Sequence, residues 1–83
     1  MTQVIIPLSN RAVIRRVDFL EVIRHPTGRF PDNHEILDEV WDWCEANLQG
    51  TWHWVSDREA QARILVFSDP RSAVLFKLRW GGR

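Results

Sequence analysis

Hydrophobic positions recur along this chain with two periods, and the places where the period changes mark its elements. Val4-Ile5-Ile6 is a β-branched run that predicts a strand over Gln3 to Leu8. Pro7 has no N–H to give a ladder, which places that strand at a sheet edge or ends its pairing there. Val13, Ile14 and Val17 favour a second strand over Arg11 to Val17, turning back through Ser9-Asn10. The 13/17/20 spacing also fits a helix; strand is the preferred reading. Asp18 and Glu21 stand at capping-box spacing before a short helix, Phe19 to Arg24, which must stop before Pro26. His25 to Pro31, with two prolines and Gly28, reads as loop.

The most regular stretch predicts a helix from about Asn33 to Leu48, with Asp32 or Asn33 as N-cap and Gly50 past its end. On a helical wheel Ile36, Leu37, Val40, Trp41, Trp43, Cys44 and Leu48 fill an arc of about 160°. Glu35, Asp38, Glu39, Asp42 and Glu45 take most of the remainder, and Trp41 and Trp43 lie at the two margins. The period then returns to two. Trp52 and Trp54 alternate with His53 and Val55, and Ile64 and Val66 alternate with Leu65 and Phe67, so Thr51–Val55 and Ala62–Ser68 should pair antiparallel across a polar connection.

Asp69-Pro70 opens a final helix over about residues 70–80, the carboxylate capping free N–H groups and the proline occupying the first helical position. Ala73, Val74, Phe76, Leu78 and Trp80 give it a broad apolar face, and Gly81-Gly82 closes it. The expected architecture is a small α+β domain spanning 1–83: a two-layer sandwich with a mostly antiparallel sheet and the 33–48 and 70–80 helices on one face.

Charge sharpens this picture. The 83 residues hold eleven basic and eleven acidic side chains, but unevenly. Residues 32–48 contain Asp32, Glu35, Asp38, Glu39, Asp42 and Glu45 and no Lys or Arg, while the segments on both sides carry a basic excess. No apolar run approaches the roughly 18 residues of a membrane span, and a cytoplasmic location without a secretory signal is the expectation. Cys44 is alone, so packing rather than a disulfide must stabilise the fold.

Candidate chemistry is sparse. No nucleophile elbow or glycine-rich phosphate loop is present. Ser9, Ser56, Ser68 and Ser72 fall at turns or caps, where local hydrogen bonds to backbone are the simplest role. His25, His34, His53 and Cys44 lack the paired spacing of a zinc site, and the long helix's carboxylates lie along a regular helix instead of a metal-binding turn. No catalytic residue, metal or cofactor is expected. Cys44 reads as a small core residue. Of the five tryptophans most should be core, with Trp43 and one of Trp52 or Trp54 partly exposed.

In the last third, Val66-Phe67-Ser68-Asp69-Pro70 followed by Ala73, Phe76-Lys77-Leu78 and Trp80-Gly81 resembles the ending of short uncharacterised bacteriophage-encoded proteins. The resemblance covers 15 to 20 residues and brings no activity or site residue with it. It implies a small protein that binds and alters a host protein, or one that joins a virion or replication assembly.

The leading expectation is therefore a noncatalytic protein-binding module. Its surface would be Asp38, Glu39, Asp42 and Glu45 with Trp41 and Trp43 beside them, offered to a partner with a basic surface. A second reading is a nucleic-acid binder using Arg11, Arg15, Arg16, Arg63 and Arg79 with exposed tryptophans, against which neutral net charge and the acidic helix weigh. A third is a structural subunit or homodimer packed through the tryptophan-bearing sheet face.

Overall fold

The computed structural model describes residues 2–24 and 33–82. In chain order the elements are β1 (Thr2–Pro7), β2 (Ile14–Arg16), α1 (Phe19–Arg24), β3 (His34–Ile36), α2 (Asp38–Asn47), β4 (Trp52–Asp57), β5 (Ala62–Phe67) and α3 (Pro70–Trp80). The fold is a small α+β arrangement. The expected 25–31 loop and the Asp32 cap lie outside the described residues.

Among the described residues five strands form two antiparallel sheets, not one. The larger has the order β1-β5-β4, with β1 at an edge as Pro7 requires. Its registers pair Val4 with Leu65, Leu65 with Trp54, and Phe67 with Trp52. These residues share the inner face. The outer face carries an apolar row across all three strands, Ile5 opposite Ile64 opposite Val55; Ile5 and Val55 are exposed. The β4–β5 hairpin extends one pair beyond the strands, where Ser68 N–H donates to the Thr51 carbonyl at 3.0 Å.

The second sheet corrects two expectations. Residues 14–16 are a strand, but they do not turn back onto β1: Asn10 caps a turn, accepting from Ala12 N–H through its side chain and from Ile14 N–H through its carbonyl, and β2 pairs with β3. Nor does the long helix begin at Asn33. Asn33 has a positive φ of 56° and His34–Ile36 is extended. Ile36 fits the helical period only because it too is buried, opposite Ile14. The helix starts at Asp38, behind Leu37, whose side chain offers no cap; Asp38 and Glu39 in the first turn face the positive helix end instead. At its other end Leu48 N–H reaches the Cys44 carbonyl at 2.8 Å.

α1 and α3 match their sequence signatures. Asp18 accepts from Glu21 N–H at 2.9 Å, and Asp69 accepts from Arg71 N–H at 3.0 Å. The Arg71 N–H, followed by its guanidinium, holds the Asp69 carboxyl below its ordinary range. The face of α3 is narrower than expected. Ser72, Ala73 and Phe76 are buried and Trp80 is half-buried, while Val74, Leu75 and Leu78 are exposed. One core joins the layers: Val4, Ile6, Leu65 and Phe67 from the sheet, Val13, Ile14 and Ile36 from the ribbon region, Val40 and Cys44 from α2, Ala73 and Phe76 from α3.

Into this core the central strand inserts a charge. Arg63 is in phase with Leu65 and Phe67 and is only 1% exposed. Its guanidinium donates to Ser56 Oγ at 3.0 Å and to the His34 carbonyl at 2.9 Å, and lies 5.4 Å from the centre of the Trp54 ring. The partners belong to β4 and β3, so Arg63 ties the two sheets together. Arg63→Ala should lower the unfolding free energy by about 3 kcal/mol or more, read from urea titration. Arg63→Lys should recover little of the loss, because an ammonium group lacks the planar fork that reaches both oxygens and stacks on the indole.

Candidate functional site

The acidic face of α2 forms as its spacing dictates. Val40 and Cys44 are fully buried, which turns Asp38, Glu39, Asp42 and Glu45 outward, and all four are exposed. Among the described residues none of them enters an ion pair or a side-chain hydrogen bond. Three of the arginines are engaged elsewhere. Arg15 donates to Glu21 at 2.8 Å and, through Nε, to Glu35, joining α1 to the β2–β3 ribbon. These carboxylates, Glu21 first, raise the Arg15 guanidinium further above its already high range. Arg71 lies against Asp69, and the Arg79 guanidinium sits 3.9 Å from the Trp80 ring centre.

The two flanking tryptophans are less available than the wheel suggests. Trp43 stands edge-on to Phe76 and Trp80, with centroids 6.4 and 6.1 Å apart, and so seals the α2–α3 contact. Trp41 borders a hollow of about 210 Å³ with Glu35, Ile36, Asp38 and Trp54. Both are half-buried against the core. Of the sheet pair, Trp54 is the exposed one at 39%, whereas Trp52 is half-buried. An apolar surface that the sequence reading did not single out lies on α3: Val74, Leu75 and Leu78, the last 79% exposed. The signal was available in their 74/78 and 75/78 spacing, which puts them on the side of the helix away from Ala73 and Phe76.

The five arginines of the nucleic-acid reading do not form one surface. Arg63 is buried, a correction that follows from its in-phase position on the central strand. Arg15 is held by two carboxylates and Arg79 by its neighbouring indole. Arg11 and Arg16 remain exposed, and both line one hollow of about 440 Å³.

Ser56, Ser68 and Ser72 also differ from expectation. Their bonds are tertiary: Ser68 Oγ accepts from Thr51 N–H at 2.9 Å, Ser72 Oγ donates to the Gln49 carbonyl at 2.8 Å, and Ser56 receives Arg63. Among the described residues no group of three His, Cys, Asp or Glu side chains is placed to hold a metal, and no helix is long and apolar enough to cross a membrane. Compared with protein-family models, curated proteins and solved structures, the chain finds no match.

Cys44 sits at 0% exposure inside the core, and burial pushes its thiol up to about 11 from an ordinary 9.0. A thiol raised in the folded state stabilises fully below the unfolded value and loses that contribution as pH climbs from about 9 to about 11. Alkaline titration should therefore remove roughly 2–3 kcal/mol over that window, and Cys44→Ala should flatten this part of the profile. At neutral pH an aromatic disulfide reagent should label Cys44 only as fast as the protein opens.

Proposed function

We propose that this domain is a noncatalytic protein-binding module whose recognition surface is the outer face of α2, and that its partner presents a basic surface. The observation that carries the reading is the unneutralised state of Asp38, Glu39, Asp42 and Glu45, all exposed and none ion-paired among the described residues. Asp38 and Glu39 have a structural reason to be there, since they serve the positive helix end. Asp42 and Glu45 do not. Glu45 lies near the C-terminal end of α2, whose last turn holds no basic residue, so its charge opposes the helix dipole. Its presence costs stability and is accounted for by an external counter-charge.

The exposed side chains of α3 supply the apolar component that recognition of a protein needs. Trp43 packs α2 onto α3, and Val74, Leu75 and Leu78 then stand outward on the neighbouring helix. An acidic stripe beside an apolar one fits a partner segment with basic and apolar sides. The likeness of the C-terminal ending to short bacteriophage proteins makes modulation of a host protein in the host cytoplasm the setting we propose. The nucleic-acid alternative is weaker because Arg63 is enclosed and Arg15 is bound to two carboxylates.

Captured partners should be retained at about 0.1 M salt, where charges act over about 10 Å, and released at about 1 M, where they act over about 3 Å. The Asp38→Lys/Asp42→Lys/Glu45→Lys variant should capture none of them at low salt; an unchanged set of partners would reject this face. Glu45→Lys alone should weaken capture while raising thermal stability by about 0.3–1 kcal/mol, the reverse of a change that acts by damaging the fold.

A further inference from the structure

The hollow shared by Arg11 and Arg16 has a chemistry of its own. It forms where the β2–β3 ribbon overhangs the end of the β1–β5 pair, with Leu8 and Ser9 from the chain after β1, His34 from β3, and Gln61 from the β4–β5 turn. The hollow has a volume of about 440 Å³ and is open to solvent. Among the described residues no carboxylate lines it. Arg11 and Arg16 are exposed and, among the described residues, neither has an ion pair, hydrogen bond or ring contact, unlike Arg15, Arg63, Arg71 and Arg79.

The ribbon register explains why these groups converge. Val17 N–H donates to the Asn33 carbonyl and Leu37 N–H to the Val13 carbonyl, each at 2.8 Å. Those pairs flank the ribbon and make Arg15–Glu35 a hydrogen-bonded pair and Arg16–His34 a non-hydrogen-bonded one. In a non-hydrogen-bonded pair the Cα atoms are about 4.5 Å apart and the side chains are at their closest. Arg15 meets its opposite charge across the strands; Arg16 meets an imidazole. Below the pair, the Arg63 guanidinium donates to the His34 carbonyl and adds further positive potential.

We propose that this hollow is a binding site for a small phosphoryl anion, gripped by the guanidinium groups of Arg11 and Arg16, with Ser9 and Gln61 as additional donors. Guanidinium forks match phosphate oxygens two at a time. The site is separate from the acidic face of α2 and does not depend on the function proposed for that face.

The test is titration of the ¹⁵N-labelled protein with inorganic phosphate against sodium chloride of matched ionic strength. Saturable shifts should appear at the Arg11 and Arg16 side-chain Nε–H and the Gln61 amide in the phosphate arm alone. Arg11→Ala and Arg16→Ala should each weaken binding by about tenfold, whereas the triple lysine variant of α2 should keep the saturable response. Shifts that follow ionic strength equally in both arms, or that spread evenly over Arg24, Arg58 and Arg71, would overturn the site. So would an Arg11→Ala/Arg16→Ala protein that is folded by its amide spectrum and binds phosphate undiminished. A parallel arm with short single- and double-stranded DNA separates the sources: DNA that binds through these arginines while phosphate does not saturate would mean a polyanion track, and the proposal would fail.

Discussion

A guanidinium in the core of so small a domain constrains everything packed around it. Removing a charge from water costs several kcal/mol even after relaxation, against a total stability of roughly 4–12 kcal/mol for a chain of this size. Arg63 is tolerated because its surroundings offer oxygens in two directions and an indole face, from three different residues on two sheets. That bond to His34, together with Ile14 and Ile36 in the shared core, holds the β2–β3 ribbon against the three-stranded sheet. α2 follows β3 after a single residue, Leu37, so the direction in which its carboxylates point descends from the same contact.

The charged residues divide accordingly into those that build and those that face outward. Arg15, Arg63, Arg71, Glu21, Glu35 and Asp69 hold elements together or close their ends. Asp42 and Glu45, like Arg11 and Arg16, contribute nothing comparable to the fold, and the two pairs have opposite sign. A neutral total charge thus conceals two exposed groups of side chains of opposite sign.

Much of this was legible in the order of residues, wherever a local rule was enough. Asp69-Pro70 and Gly81 bracket α3 at the residues observed, Asp18 caps α1 by accepting from Glu21 N–H, and the tryptophan alternation put Trp52 and Trp54 on one side of β4. The failures came where a distant partner decided the outcome. Residues 34–36 keep helical spacing yet are extended, because pairing with Ile14–Arg16 overrides the period. Arg63 was taken as a surface base although its alternation with Leu65 and Phe67 already placed it inside; the missing information was the His34 carbonyl, 29 residues away. The outward position of Asp38, Glu39, Asp42 and Glu45 follows from helix phase alone, while the Arg11–Arg16 hollow needed a cross-strand register that no local pattern supplies.

The outer row of Ile5, Ile64 and Val55 crosses the whole three-stranded sheet, and β4 beside it is a terminal strand. With formal charge balanced at pH 7, little long-range repulsion separates two molecules approaching through that side. An open β4 edge beside exposed branched aliphatic side chains is a place where two molecules can pair strand to strand, and a charged side chain in place of Val55 would oppose that pairing.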